Sequence, residues 1–249
     1  MRPKVSVVVL VYNNISGMEK TIQSILSQTY DNIQIIISDD GSKKFNQQDL
    51  FLYGEKLEAK YNDVEIIINE ENVGTVKHLN NALKHTDGKY IIPCSSGDAL
   101  FDENTVEDIV AFMEKKKASI ITGMHLDEYF EDGIIVRRKS RPEKFWGILL
   151  TMAPGIVRSY IRNKKNLFSG CSSCYSQKLF EDNGYFDEQY KLVEDYPYFL
   201  KLMKNRQKIY WYGKNISIHE MGGVSNGKVH PLVLQDLERI KDNIRIGQL

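Results

Sequence analysis

The chain has 249 residues, of which 42% are hydrophobic and 27% charged, and its formal net charge at pH 7 is zero. This composition is typical of a globular protein, and the zero net charge argues against a general electrostatic attraction to nucleic acid. The longest apolar stretch (145–157) is too short to span a bilayer, and the N-terminus lacks a signal-peptide pattern. Three cysteines do not suggest a disulfide framework. We therefore expect a cytoplasmic protein.

The first half of the chain alternates between strand and helix patterns. Val5–Tyr12 is a continuous, mostly β-branched run, typical of a strand that is buried on both faces, and residues 33–38 repeat the pattern. Helical spacing occurs over 18–27, 48–61 and 75–85, and further strands are predicted over 65–68 and 90–94. This alternation predicts an α/β fold in which a mainly parallel sheet is flanked by helices.

The second half is less regular. A helix over 103–117 and a strand over 119–123 continue the sheet, a basic segment follows over 137–165, and another α/β portion extends to about residue 225. Pro231 begins a final helix whose apolar face is suited to packing or to binding a partner. That face consists of Leu234, Leu237, Ile240 and Ile244.

Polar residues follow the ends of several predicted strands. They are Tyr12, Asp39, Asp40 and Asp98. Ligands of parallel sheets bind beyond the carboxyl ends of the strands, and carboxylates such as those of DDGS (39–42) accept hydrogen bonds from a base and from ribose hydroxyls. Asp, Gly and Ser are also the commonest turn residues, so DDGS by itself fits a turn as well. The absence of G-x-G-x-x-G and of a P-loop argues against a Rossmann dehydrogenase and a P-loop kinase.

Seven motifs connect the chain to a known family. In chain order they read VSVVVLVYNN, SILSQTYDNIQIIISDDGS, NVGTVKHLNNAL, GKYIIPCSSGD, LFEDNGYFDE, VEDYPYFLKLM and SIHEMGGVS. In this order and spacing they resemble the family 2 glycosyltransferases of the GT-A fold. The resemblance implies a GT-A domain over 1–225, with a nucleotide-sugar-binding half over 1–98 and an acceptor-binding half over 99–225, followed by a C-terminal helix over 226–249.

The resemblance also implies a reaction. A sugar would move with inversion from a nucleotide diphosphate sugar, expected to be a UDP-sugar, to a hydroxyl of a lipid-linked acceptor, in bacterial surface polysaccharide synthesis. One alternative is a GT-A-like protein that binds a nucleotide sugar or a partner without transferring anything. A sugar-1-phosphate nucleotidyltransferase is disfavoured, because it would carry a glycine-rich basic loop where Asn13-Asn14-Ile15 stands.

The resemblance assigns nucleotide-sugar binding to ten positions. They are Val11, Tyr12, Asn13, Asp39, Asp40, Asn72, Gly74, Lys77, Ser96 and Gly97. Tyr12 would flank the base, although an aromatic at a strand end also packs under loops. Gly74 would open a helix whose N-terminal dipole favours phosphate. Lys77 is two positions from the family's usual basic residue, where Leu79 stands, and it equally suits a solvated helix face.

The metal motif is incomplete. The family's D-x-D would hold Mn²⁺ or Mg²⁺ against the diphosphate, but Ser95 and Gly97 stand where the pattern expects Asp, and only Asp98 remains. A divalent cation held by one carboxylate, phosphates and water is still chemically reasonable. The resemblance adds His219 to this expected metal site.

The resemblance implies that Asp195 is the catalytic base for the acceptor hydroxyl, together with its neighbour Glu194. A carboxylate serves as such a base in a site that excludes water, but an acidic pair before Tyr196-Pro197 also suits a helix N-terminus. The resemblance further assigns Gly170 and Ser172 to the acceptor pocket. We interpret the nearby Cys171 and Cys174 as small buried residues.

The segment 137–165 contains nine basic residues and a single acid, Glu143, around the apolar run 145–150. This pattern is typical of a peripheral protein on an anionic leaflet, which predicts contact with the inner face of the cell membrane. In the alternative, Trp146 and Leu149 pack into the protein and the charges form a solvated flap.

Overall fold

The computed structural model describes residues 2–131, 134–221 and 230–249. The strands are β1 Val5–Val11, β2 Ile33–Asp39, β3 Asp63–Ile68, β4 Tyr90–Ser95, β5 Ala99–Leu100, β6 Ile120–Glu131, β7 Ile134–Arg141, β8 Ser173–Ser176 and β9 Tyr210–Glu220. The helices are α1 Met18–Leu26, α2 Gln48–Glu58, α3 Thr75–Leu83, α4 Thr105–Lys116, α5 Lys144–Met152, α6 Pro154–Asn163, α7 Gln177–Asn183, α8 Asp195–Lys204 and α9 Pro231–Arg245. A short 3-10 helix, Gly170–Ser172, precedes β8.

A single sheet runs through both halves of the chain. Its strand order is β3-β2-β1-β4-β8-β6-β9-β5, and β7 pairs with β6. The pairings β3-β2, β2-β1 and β1-β4 are all parallel, whereas β8 is antiparallel to both of its neighbours. The predicted α/β fold is confirmed, and the antiparallel pairings are confined to the side built by the second half.

The two faces of the sheet carry separate cores. Val7 and Val9 of β1 face one core with α1, α2 and α4, and Val8 faces the other core with α3 and α8, because successive side chains of a strand point to opposite faces. Every residue of β2 is buried. Burial on both faces explains why β1 and β2 read as continuous apolar runs.

The second half differs from its predicted outline in one strand. The strand predicted over 119–123 extends to Glu131, because β6 pairs with β7, β8 and β9. The predicted basic segment forms β7, α5 and α6. At Gly147 of α5 an added Cβ would lie 1.9 Å from the ring of Trp211, so this glycine permits the close approach of α5 to β9.

The C-terminal helix α9 packs against the core that contains α8. Ile240 is fully buried, Leu237 and Ile244 are partly buried against the same cluster, and Leu234 is exposed. Of the two roles predicted for the apolar face of this helix, packing and partner binding, these contacts correspond to packing. The end of the SIHEMGGVS motif, from residue 222 to Ser225, lies outside the described residues.

Candidate active site

The loop after β2 is organised by Asp39, whose side chain is fully buried. Its carboxylate accepts hydrogen bonds from the Ser42 amide (3.0 Å), from the Ser42 hydroxyl and from Gln47 Nε2 (3.0 Å). These contacts hold the loop that follows β2, which fits the supporting role predicted for Asp39.

The second carboxylate, Asp40, links this loop to the start of α3. It is buried and accepts hydrogen bonds from Asn69 Nδ2 (3.1 Å), Val73 N (3.0 Å) and Gly74 N (3.2 Å). Gly74 has a φ of 90°, a left-handed value that glycine adopts without strain. Asp40 thus binds the amides of the two residues that precede α3. The Asn72 and Lys77 side chains on either side of this turn are exposed.

The end of β1 presents an aromatic ring to solvent. Val11 is fully buried, whereas Tyr12 is 48% exposed, so the ring of Tyr12 does not pack under the loop. Asn13 has a φ of 55°, donates its amide to Ser42 Oγ (2.7 Å) and accepts from Lys43 N (2.9 Å). The strand end and the DDGS loop therefore form one connected surface.

The end of β4 joins the same edge through Asn14. Asn14 Nδ2 donates to the Ser96 carbonyl oxygen (2.8 Å), and the Ser96 hydroxyl donates to the Asn14 carbonyl oxygen. The Gly97 amide donates to Thr21 Oγ1 (3.0 Å). A Cβ at Gly97 would lie 2.7 Å from Glu220 Oε2, so the absence of a side chain there brings the end of β9 close.

Asp98 is buried and connects β4 to the end of β9. Its Oδ1 lies 2.8 Å from His219 Nδ1 and accepts a hydrogen bond from Glu220 N (3.1 Å). Burial opposes the charged form of His219, but the hydrogen bond and the charge of Asp98, followed by the charge of Asp127, raise the pKa of His219 above its ordinary value. The contact between Asp98 and His219 therefore joins the end of β4 to the end of β9 at the sheet edge.

The other carboxylate oxygen of Asp98 provides a test of the predicted metal site. Asp98 Oδ2 is buried and has no hydrogen-bond partner in the described part of the chain. Within the same ranges, no group of three or more His, Cys, Asp and Glu side chains could hold a metal ion. The residues therefore fit a cation held by one carboxylate, with phosphate and water oxygens completing its coordination, and do not fit an all-protein site.

Sequence reasoning missed two buried residues of β6, His125 and Asp127. The rings of His125 and His219 contact each other edge to face, with centroids 5.9 Å apart. His125 Nε2 lies 3.3 Å from Asp127 Oδ1, and Arg141 Nε lies 2.9 Å from Asp127 Oδ2. Burial disfavours the Asp127 carboxylate, but His125 and the neighbouring positive charges lower its pKa. Polar residues at two alternate positions of a buried strand were the available signal.

The predicted catalytic pair lies where α8 begins. Asp195 Oδ2 accepts a hydrogen bond from Gly170 N (3.2 Å), and a Cβ at Gly170 would lie 3.0 Å from Glu194 Oε1. Burial raises the pKa of Asp195 to about 6, although the amide of Gly170 partly opposes this. Burial, and then the charge of Asp195, raise the pKa of Glu194 to about 8. The raised pKa of Asp195 brings its carboxylate closer to neutral pH, which favours general-base catalysis.

The 3-10 helix lies between this pair and the cluster formed by Asp98, His219 and His125. Gly170 contacts Asp195 at one end, and Ser172 Oγ lies 3.4 Å from His125 Nδ1 at the other. Ser172 is fully buried, so its hydroxyl faces His125 rather than an open pocket. No hydrogen bond or ion pair connects the side chains of Asn72 or Lys77 to the other predicted site residues within the described ranges.

The chain is similar to known proteins over most of its length. The family described as Glycosyl transferase family 2 matches residues 6–184. An uncharacterised glycosyltransferase of Rickettsia prowazekii is 27% identical over 205 residues, which cover 81% of this chain and 59% of the relative. A Rickettsia felis relative, also named an uncharacterised glycosyltransferase, is 28% identical, and the match covers 32% of its length. The chain therefore spans only about one third to three fifths of these relatives.

Solved structures share the fold. Staphylococcus aureus TarS (1–349) in complex with UDP-GlcNAc superposes with a TM-score of 0.72 at 21% identity, over 98% of this chain and 66% of TarS. The mannosyltransferase PcManGT of Pyrobaculum calidifontis, in complex with GDP-Man and Mn²⁺, gives a TM-score of 0.73 at 17% identity, over 98% and 65% of the two chains. The chain therefore has the GT-A fold.

Proposed function

This chain belongs to glycosyl transferase family 2, and we propose that it moves a sugar from a nucleotide diphosphate sugar to an acceptor hydroxyl with inversion. The proposed donor is a UDP-sugar, in line with the UDP-GlcNAc complex of TarS. The proposed acceptor is a lipid-linked sugar at the cytoplasmic face of a bacterial membrane, in surface polysaccharide synthesis. The proposed domain is 1–225, with its donor half over 1–98 and its acceptor half over 99–225.

One observation carries this proposal. The 3-10 helix connects the Asp195 carboxylate, through Gly170, with the His125, His219 and Asp98 cluster. The proposed base for the acceptor is thereby connected to the cluster that is proposed to lie beside the donor diphosphate. Single displacement needs both groups around the same anomeric carbon.

In the proposed mechanism Asp195 takes the proton of the acceptor hydroxyl while its oxygen attacks the anomeric carbon. The bond from that carbon to the diphosphate breaks on the opposite face, so the configuration inverts and the nucleoside diphosphate leaves. The raised pKa of Asp195 makes its carboxylate a stronger base than an exposed one. Glu194, whose pKa is higher, holds a proton near neutral pH and limits the negative charge beside the base.

The proposed mechanism also requires stabilisation of the leaving diphosphate. Asp98 and His219 would hold a divalent cation, Mn²⁺ or Mg²⁺, and PcManGT provides a Mn²⁺-bound example of this fold. When bound, such a cation supplies positive charge against the leaving diphosphate. The N-terminus of α3 adds its helix dipole, while the Gly74 amide itself donates to Asp40. Tyr12 offers an exposed ring to the base.

The test is sugar transfer from a panel of UDP- and GDP-sugars to polyprenyl-linked acceptors. Asp195→Asn keeps the shape of the side chain and removes the proton acceptor, so transfer is expected to fall at least ~100-fold while donor affinity changes little. Asp182→Asn, an exposed residue of α7, is the matched control. Wild-type transfer by the Asp195 variant would refute the base assignment. Donor binding without any transfer would favour the non-catalytic GT-A-like alternative.

The proposed membrane contact is made by one face of α5. Phe145, Ile148 and Met152 are 60%, 54% and 79% exposed, and their spacing puts them on one face of α5. Trp146, in contrast, packs against Tyr160 at a tilted angle, with ring centroids 4.3 Å apart. Lipid contact is therefore proposed for the first three residues and not for Trp146. No helix within the described ranges is long and apolar enough to cross a membrane.

Basic residues of α5 and α6 support contact with an anionic lipid surface. Lys144, Arg162, Lys164 and Lys165 are exposed on the same two helices and their end, and each basic residue near an anionic leaflet adds about 1 kcal/mol. The test is co-sedimentation with vesicles of phosphatidylcholine with and without phosphatidylglycerol. The double variant Phe145→Ser/Ile148→Ser is expected to lose binding, and Phe51→Ser, an exposed aromatic on α2, is expected to keep it. Absence of binding to anionic vesicles at low salt would refute the contact.

A further inference from the structure

A buried carboxylate of the C-terminal helix faces the chain just before the predicted catalytic pair. Asp236 of α9 is 4% exposed. Its two oxygens lie 2.9 and 3.1 Å from Lys191 N, and its Oδ2 also accepts hydrogen bonds from Leu192 N (2.7 Å) and Val193 N (3.1 Å). Three consecutive backbone amides therefore converge on one negative charge.

This arrangement is specific in its chemistry. A buried carboxylate is costly unless it is fully hydrogen-bonded, and hydrogen bonds to a charged acceptor are stronger than neutral ones. No salt bridge within the described ranges involves Asp236, so the amides of residues 191–193 supply its compensation. The two partners thus depend on each other: the amides compensate the charge of Asp236, and Asp236 defines the backbone path of the segment.

Two further contacts hold the same segment to α9. Asn243 Nδ2 donates to the Tyr190 hydroxyl (2.8 Å), and Arg239 donates to the Gln189 carbonyl oxygen. These contacts lie before residue 191, while Asp236 holds the three residues immediately before Glu194. Among these contacts of α9, those of Asp236 lie nearest in sequence to Glu194.

The segment also contacts the donor side of the site. The Lys191 carbonyl oxygen accepts a hydrogen bond from Val76 N (3.2 Å) and would lie 3.1 Å from a Cβ at Gly74. Residues 191–193 therefore run from the start of α3, where the diphosphate is proposed to bind, to the base at the start of α8. They therefore connect these two parts of the site.

We propose that Asp236 is a positioning residue, which fixes residues 191–193 so that Asp195 and the N-terminus of α3 keep the separation that transfer requires. This inference rests on the proposed function, because it takes Asp195 as the base. It assigns to α9, which lies outside the family match at 6–184, a part in the reaction beyond core packing. Displacement of a base by about 1 Å is enough to cost ~100-fold in rate.

The experiment compares Asp236→Asn and Asp236→Ala with Asp242→Asn. Asp242 is an exposed residue of α9 whose ion pair is with Arg245 of the same helix, so its variant tests a charge change without the amide contacts. Asparagine keeps one acceptor oxygen, and alanine keeps none. Rates are measured well below the unfolding midpoint, and enzyme concentration is corrected for the folded fraction, so that loss of stability does not count as loss of rate.

We expect kcat to fall about 10- to 100-fold in the asparagine variant and further in the alanine variant, with donor KM changed less than about threefold. Hydrogen exchange at the amides of Leu192 and Val193 is expected to accelerate by about the same factor, while the amides of β1 keep their protection. Asp242→Asn is expected to match the wild type in both measurements.

Each failure has a distinct signature. Faster exchange at residues 192–193 with unchanged kcat would overturn the inference, because Asp236 would then be an anchor without influence on the reaction. Unchanged exchange in both variants would overturn it as well. Full activity of Asp195→Asn would instead refute the base on which the inference depends, whatever the Asp236 variants do.

Discussion

Replacement of Glu194 by glutamine should make the protein more stable, and increasingly so as the pH rises. Glu194 lies beside Asp195 at the start of α8, and burial and the neighbouring charge raise its pKa from 4.5 to about 8. A carboxyl whose folded-state pKa is raised stabilises the folded state only while it holds its proton. That stability is present at low pH and is lost as the pH rises through the folded pKa.

The size of this stability change follows from the pH range between the unfolded and folded pKa values of Glu194. Between the unfolded pKa near 4.3 and the folded value, each pH unit costs the wild type about 1.4 kcal/mol relative to a side chain that does not titrate. From pH 5 to pH 8 the ceiling is therefore about 4 kcal/mol. Water entry and relaxation around Glu194 reduce it, and we expect the stability difference between Glu194→Gln and wild type to widen by ~2–4 kcal/mol.

The assay is urea unfolding of both proteins at pH 5, 6, 7 and 8, with free energies extrapolated to water. Glu55→Gln, an exposed residue of α2, is the control whose stability difference should not vary with pH. A constant difference between Glu194→Gln and wild type across the four pH values would refute the reasoning. It would mean that Glu194 is ionised in the folded protein without cost.

Three further predictions concern the site and its frame. Asp98→Ala and chelation of divalent ions should each weaken donor binding in a calorimetric titration, and their effects should not add; full additivity would separate Asp98 from the metal. Asp40→Ala should cost ~2–3 kcal/mol in urea unfolding, because it removes the charged acceptor for the amides of Val73 and Gly74, and a cost under 0.5 kcal/mol would contradict this. Gly147→Ala should lower stability by ~1–3 kcal/mol, since its methyl group would overlap the Trp211 ring, and an unchanged melting temperature would show that α5 can shift.

Much of the frame could be predicted from local sequence. The β-branched runs of β1 and β2 identify strands that are buried on both faces, and such strands occur in parallel sheets covered by helices. Parallel strands end at one edge, so Asp40 and Asp98 were expected near the same site without any knowledge of their contacts. The family motifs then separated a sugar-nucleotide site from an ordinary turn. Periodicity along the chain carries this information because neighbouring residues share one strand or helix.

What the side chains contact was decided only by the tertiary structure. Asp127 stands opposite His219 in the β6-β9 register, and His219 meets Asp98 across 121 positions of sequence. Asp236 reaches Lys191 across 45 positions. Such partners are fixed by strand register and by helix packing, which depend on the summed burial of both cores and leave no local pattern. For that reason the sequence indicates where the site lies, and the packing of distant segments determines which charges are paired within it.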